Sequence, residues 1–362
     1  MSLVLPPFPE KPRKAVEAGE FVFAAVGFAH GHIYGMCEGL INAGASLKWA
    51  YDDDPARLDA FRARYPGVKA AGSLDEILED AQVKLVACAA VPSERCGIGI
   101  KTMEAGKDFF ADKAPLITSE QLFAARDAVA RTGRKYAVWY SERLGSEAAV
   151  YAETLIRAGT LGRVINVIGT GPHKLANGEK RGAWFYKRAT QGGILIDVGS
   201  HQIEQFLAFT GDEDAKIVSA RVANFAHPEY PEFDDFGDCT LEGESGAAGY
   251  FRVDWFTPRG VPAFGDGRTF LVGTKGTLEL RKFVDLSGGN ARERLILATD
   301  DGTAVIDAAG KTGLPFFAAL ITDCLERTEK AMTQSHAFKA AELAVKAQEI
   351  ALREAKKVLV CQ

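Results

Sequence analysis

FVFAAVGFAHGHIYGMCEGLINAG, residues 21–44, is the stretch that decides the fold. Its first seven residues are an apolar run ending at Gly27, the pattern of a strand buried on both faces. From Gly31 the spacing turns helical, with Gly44 near the end as a stop signal. A strand that breaks at glycine and continues as a helix is the opening unit of a dinucleotide-binding fold. Its turn carries G-x-G-x-x-G, because glycines permit the tight bend and let the backbone approach a pyrophosphate at the helix N-terminus. Here Gly27 fits, Ala29 stands for the second glycine, His32 takes the third place, and Gly31 is displaced by one. The loop Gly27, Ala29, His30, Gly31 and His32 is therefore the candidate cradle, although an ordinary strand–helix turn would read the same way.

Working outward, SLKWAYDDD is a second strand that stops in acid, and Asp52 ends it 25 residues after Gly27. An acid about 20 residues past the first glycine bonds the ribose hydroxyls in such folds. Asp53 and Asp54 follow, and one of the three acids can instead cap the next helix, with Pro55 in its first turn. Three acids repel a 2′-phosphate, so NAD is expected over NADP, with Arg57 as a nearby cation able to approach a phosphate. VKLVACAAV, KDFFADKAP and RKYAVWYS are further strands, with helices over 98–105 and 119–132. This rhythm predicts a parallel sheet covered on both faces, a Rossmann-like α/β domain over 21–140. Residues 1–20, rich in Pro and Lys, read as an arm.

After residue 141 the rhythm changes. Strand candidates separated by glycine-rich turns fill 216–306, and the tail from 315 is helical. That predicts an α+β domain over 141–362 with an open, mainly antiparallel sheet and the C-terminal helices. At 362 residues, 47% hydrophobic and 25% charged, the chain is long enough for two domains with full cores. A net charge of −5 gives no reason to expect nucleic acid or an anionic membrane. No stretch is long enough to span a bilayer, and prolines interrupt MSLVLPPFPEKPRK, so a cytoplasmic protein is expected. The six cysteines are scattered without CxxC or zinc-like spacing, so they read as buried small hydrophobes and no metal is expected.

A second stretch raises a chemical question. GGILIDVGSHQIEQF, residues 192–206, is mostly apolar yet carries Asp197 and His201, four residues apart. On a helix that offset stacks both side chains on one face. They can serve a substrate, or Asp197 can cap the helix while His201 is a satisfied, half-buried residue.

The chain resembles the Gfo/Idh/MocA oxidoreductases from residue 21 onward. The residues that carry the resemblance are Pro92, the run EAGKDFFADK ending at Lys113, and the pattern Gly192, Gly193, Asp197, Gly199, His201, with Glu204 where the family has Asp. Asp112 stands for the family's Glu, Ala114 for its Pro with Pro115 one place late, and Cys96 for its usual His. The resemblance implies hydride transfer between a nicotinamide and a secondary hydroxyl of a sugar, cyclitol or related polyol. His201 would take the hydroxyl proton, Lys113 would bond the reacting oxygen, and Asp197 would orient His201 or hold a neighbouring hydroxyl. The Gly192–Gly193 pair would let the backbone approach the cofactor ring. Pro92 falls to the cofactor site, and Arg143, His173, Trp184 and Tyr186 fall in stretches that approach the interdomain cleft in family members. The aromatic positions of YFRVDWF would face a core or a partner subunit, and a homodimer or homotetramer is implied. The same fold also admits an NAD-dependent glycoside-cleaving enzyme or a non-catalytic dinucleotide sensor.

Overall fold

The protein is described as a computed structural model for residues 3–175, 181–287, 289 and 291–360. Its first half alternates strand and helix: β1 (Val22–Val26), α1 (His32–Asn42), β2 (Ser46–Tyr51), α2 (Pro55–Arg64), β3 (Lys69–Ala70) and α3 (Leu74–Glu79). It continues with β4 (Val83–Cys88), α4 (Pro92–Glu104), β5 (Asp108–Asp112), α5 (Ser119–Thr132) and β6 (Tyr136–Trp139). The six strands are parallel, in the order β3-β2-β1-β4-β5-β6. The order reverses between β1 and β4, where a doubly wound sheet opens a crevice beyond its strand ends. Because helices cover both faces, Phe23, Ala24 and Ala25 of β1 are all fully buried, which is why this strand reads as unbroken apolar sequence.

Local chemistry sets the helix limits. Asp54 Oδ1 accepts from the Ala56 amide at 2.9 Å with Pro55 in the first turn, so Asp54 is the acid that caps α2. Thr118 caps α5, and Gly133 ends it in the left-handed conformation at φ +62°.

The second half opens with α6 (Ser141–Leu144), α7 (Glu147–Arg157) and β7 (Val164–Pro172). A 3-10 turn at Ala183–Tyr186 precedes α8 (Arg188–Gln191), α9 (Ile194–Asp197) and α10 (Gly199–Thr210). Seven strands follow: β8 (Ala215–Ala223), β9 (Phe236–Gly243), β10 (Ala248–Asp254), β11 (Arg268–Gly273), β12 (Gly276–Arg281), β13 (Arg294–Thr299) and β14 (Gly302–Asp307). They join β7 in one sheet ordered β14-β13-β12-β11-β7-β10-β9-β8, antiparallel except for the β7–β10 pair. Helices cover one face only, so side chains alternate: Phe251 and Val253 of β10 are buried while Tyr250 is exposed. The YFRVDWF aromatics therefore divide between the two faces, with Phe251 and Trp255 in the core and Trp255 also lining the cleft described below.

Two C-terminal helices tie the halves together. α11 (Phe316–Glu326) packs Phe316 and Phe317 against Phe110 and Trp139 of the first sheet. α12 (Gln334–Val360) lies on α10 and β8 and also touches α5 and β6. The N-terminal arm is pinned as well: the Tyr151 hydroxyl donates to the Pro6 carbonyl at 2.7 Å, and Phe8 packs on the Tyr151 ring. Among the described residues no helix is long and apolar enough to cross a membrane.

Candidate active site

The turn after β1 is clamped at both sides. The Gly27 amide donates to the Tyr51 carbonyl at 2.9 Å, and the His30 amide donates to the Ala89 carbonyl at 3.1 Å. Gly27 has φ +69°, and a Cβ there would sit 2.5 Å from the Ala90 Cβ, so only glycine fits. Asp52 helps to hold this turn: its Oδ2 accepts the Phe28 amide at 2.5 Å, and its Oδ1 accepts from the Asp54 amide and Arg57 Nε at 2.8 and 3.0 Å. Arg57 is thereby paired to the acids at the tip of β2. Pro92 is buried at the first turn of α4.

Both histidines of the turn converge on Asp112, at the end of β5 and fully buried. His32 Nδ1 lies 2.8 Å from Oδ1, and His30 Nδ1 lies 2.8 Å from Oδ2 in a poorly aligned contact. Arg95 Nη2 approaches Oδ2 at 3.2 Å, while Arg95 Nε donates to the Ala90 carbonyl at 2.7 Å and Nη1 donates to the Lys113 and Ala114 carbonyls. Burial opposes the charge on Asp112, but His32, Arg95 and His30 hold it well below the usual carboxylate range. Burial, with the charge of His32, pushes His30 down to about 3. His30, His32 and Asp112 also have the spacing of metal ligands, with their ligand atoms within 4.8 Å of one another. The Arg95 guanidinium on the same carboxylate opposes a cation there.

Lys113 follows directly. It is buried, and its Nζ meets Asp197 Oδ1 at 2.5 Å, so a lysine from the first sheet is paired with a carboxylate from the second half. The change to Ala114–Pro115 has not turned it towards solvent. Gln191 Nε2 donates to the other Asp197 oxygen at 3.0 Å. Although burial opposes it, the Lys113 charge holds Asp197 far below the usual carboxylate range.

This pair adjoins a cleft of about 420 Å³ lined by Ala29, His30, Gly31, His32 and Lys113 on one side. His173, Lys174, Arg181, Trp184, Trp255 and Phe264 line the other. His173, at the end of β7, is pushed down to about 4 by burial, and its ring lies 4.9 Å from Phe264. The Arg181 guanidinium lies over the Trp255 ring at 5.4 Å.

Asp197 and His201 do not share a continuous helix. α9 ends at Asp197 and α10 begins at Gly199, so the four-residue stacking expected from the sequence is broken at Val198. Asp197 turns to Lys113 and Gln191 instead of orienting His201, and α10 has no side-chain cap, so Asp197 does not cap it either. His201 is 1% exposed, its Nδ1 has no partner, and burial pushes it down to about 3.

The Gly192–Gly193 pair also has a packing role within the chain. Their φ values are +97° and +109°, and a Cβ on Gly193 would lie 2.4 Å from Gln348 of α12. The pair serves the turn into α9 and its packing on α12. Two other candidates take packing or surface positions outside this cleft. Arg143 is held by Glu204 and Glu153 away from the cleft, where His336 Nε2 also meets Glu204 at 3.1 Å. Tyr186 stacks on Tyr230 with centroids 3.7 Å apart and lines a separate surface groove. Arg95 was not singled out by the sequence, although a charge in the apolar face of a helix beside Cys96 is a readable signal. The five described cysteines are buried and unpaired, and Cys361 lies outside the described residues.

Residues 150–279 match the family profile described as the GFO/IDH/MocA C-terminal domain. The chain is 46% identical to a protein described as a putative oxidoreductase from Erwinia carotovora atroseptica SCRI1043. That crystal structure covers 91% of this chain and 98% of its own, with a TM-score of 0.89. It is 28% identical over 209 residues to scyllo-inositol 2-dehydrogenase (NAD(+)) of Bacillus subtilis, 56% of each chain. The matched part spans about half the length of the curated relatives, 40% and 56%. Levoglucosan dehydrogenase in complex with NADH and levoglucosan shares the fold at 16% identity, covering 93% of this chain and 97% of its own with a TM-score of 0.76.

Proposed function

The chain belongs to the Gfo/Idh/MocA oxidoreductases, and from that premise we propose that it transfers a hydride between NAD and a secondary hydroxyl of a sugar, cyclitol or related polyol. The observation that carries this reading is the buried Lys113–Asp197 pair, which joins the two halves beside the turn at the sheet's switch point. The residues present suit a dinucleotide. The turn over Gly27–His32 is tight and faces the cleft, α1 starts there with no side-chain cap on its amides, and Asp52 stands at the tip of β2. A bound nicotinamide supplies the hydride acceptor.

The chain's own groups supply the rest. Neutral at ordinary pH because burial lowers it, His201 can accept the hydroxyl proton. Lys113 places an ammonium where the oxygen gains alkoxide character. Asp197, with Gln191, holds that ammonium in place. Trp184, Trp255 and Phe264 offer apolar faces to the C–H side of a ring substrate. NAD is favoured over NADP because Asp52, Asp53 and Asp54 crowd the tip of β2 and Arg57 is already paired there. The uncovered face of the second sheet, with Ile168, Tyr250 and Val305 exposed, is assigned to a second copy of the chain.

The test is a screen of NAD reduction over sugars, cyclitols and polyols with identification of the product. A ketone formed in step with NADH supports the reading. Cleavage of a glycoside without net NADH would replace it with the glycoside-cleaving alternative.

A further inference from the structure

Resting on the reading of His201 as the proton acceptor, a second inference concerns what holds that imidazole, since Asp197 does not. Two deeply buried side-chain atoms on elements that pack together have no hydrogen-bond partner: His201 Nδ1 on α10 and Glu142 Oε1 on α6. Glu142 is 2% exposed and His201 1%. The other Glu142 oxygen is crowded. Its Oε2 accepts from Gln202 Nε2 at 2.8 Å and Gln205 Nε2 at 3.3 Å, and it lies 3.2 Å from Lys282 Nζ. Gln205 lies one helical turn after His201 on the same face of α10, and its Nε2 also donates to the His201 carbonyl at 3.0 Å. One amide therefore touches both the Glu142 carboxylate and the backbone of His201.

A buried carboxylate oxygen and a buried ring nitrogen each left unmatched cost about 1–3 kcal/mol apiece, a cost removed if they meet. Other side chains do not compete for the pair, because Lys113 is engaged by Asp197 and His32 by Asp112. Their charges, with His173, face His201 and push it down, while Glu142 opposes them and pushes it up. Lys282, after β12, faces Glu142 from the far side, and the Tyr140 ring packs edge-on to His201 at 6.3 Å.

We propose that Glu142 is the positioning residue for His201. Its Oε1 accepts from Nδ1–H through one buried water, which fixes the tautomer and leaves Nε2 to accept the substrate proton. Glu142 touches no reacting atom in this scheme and acts only through the imidazole.

The experiment uses the full chain with NAD and the substrate found by the screen. Glu142→Gln should shift the acidic limb of kcat/KM to lower pH by about one unit, because a tenfold loss of proton affinity follows removal of the charge. KM should change less than kcat, and Glu142→Asp should restore part of the rate. Since Glu142→Gln leaves Lys282 buried without its counter-charge, Glu142→Gln/Lys282→Met is the companion variant, with a shift in the same direction. Nitrogen NMR of the wild-type imidazole gives a readout independent of turnover: the Nδ1–H tautomer is expected, with a pKa that falls in Glu142→Gln. An Nε2–H tautomer, or a limb and a pKa unmoved in both variants, overturns the proposal. If His201→Ala keeps full activity while the tautomer and pKa behave as stated, the base assignment fails and the Glu142–His201 contact stands as a structural one.

Discussion

Asp197 and Glu204 stand seven residues apart in one motif, both are buried, and each meets one strong cation. Their surroundings differ in where the cation comes from. Lys113 reaches Asp197 from the end of β5, across the junction of the two halves and beside the open cleft. Arg143 reaches Glu204 from α6, 61 positions away within the same half, and His336 of α12 closes that cluster from behind. The front pair is placed where a ligand can compete for the lysine, whereas the rear cluster joins α6, α10 and α12. Under the proposed function, similar burial and similar charge thus serve chemistry in one place and cohesion in the other.

The largest effect should come from the front. His201→Ala is expected to lower kcat by about 10²- to 10⁴-fold, the usual contribution of a positioned general base, with a melting temperature close to that of the parent. A variant that loses stability but keeps its rate would move His201 to the structural side of the comparison.

Arg143→Met tests the rear. Breaking a buried pair by removing one partner costs about 3–5 kcal/mol, so denaturant unfolding should show that loss while kcat of the folded enzyme stays within a few-fold. Burial opposes it, but Arg143 and His336 hold Glu204 down at about 2. A carboxyl depressed in the folded state contributes stability above its unfolded value, and the contribution is lost as pH falls towards 2. Removing Arg143 raises that folded value, so acid unfolding should begin at higher pH than in the parent. Circular dichroism during acid titration checks the direction.

Lys113→Ala should lower kcat by about 10²- to 10³-fold, the scale of one lost donor to a developing oxyanion, with NAD affinity within a few-fold. It also leaves Asp197 without its cation, so stability should fall, and this separates it from His201→Ala. The smallest expected effect concerns the cofactor. NAD should bind about tenfold more tightly than NADP, about 1.4 kcal/mol, by calorimetry. Equal affinities would mean that Arg57 leaves Asp52 and Asp54 to meet the 2′-phosphate.

The comparison also shows what could be read from residue order. The apolar run into Gly27 and the acid at Asp52 were legible because a doubly covered strand and its turn impose composition directly, one residue at a time. That one of the three acids caps α2 was legible for the same reason, since a cap acts within three residues, while its identity as Asp54 came from the structure. Lys113 and Asp197 could be named from their motifs, yet their contact could not, because 84 positions separate them and only the docking of the two halves brings them to 2.5 Å. Arg143 and Tyr186 were misplaced because a stretch that passes near a cleft carries side chains on more than one face, and sequence does not say which face looks inward.

By itself, then, the order of residues determined the two sheets, the candidate cradle over Gly27–His32 and the residue types of the site, since these follow from local periodicity and short-range turn chemistry. Tertiary structure alone decided the partners. Asp197 meets Lys113 and Gln191, Asp112 gathers His30, His32 and Arg95, and the Gln205 amide bridges the Glu142 carboxylate and the His201 carbonyl. The physical reason is that burial forces each polar group to find a partner wherever packing supplies one, and packing is fixed by distant segments rather than by neighbours in sequence.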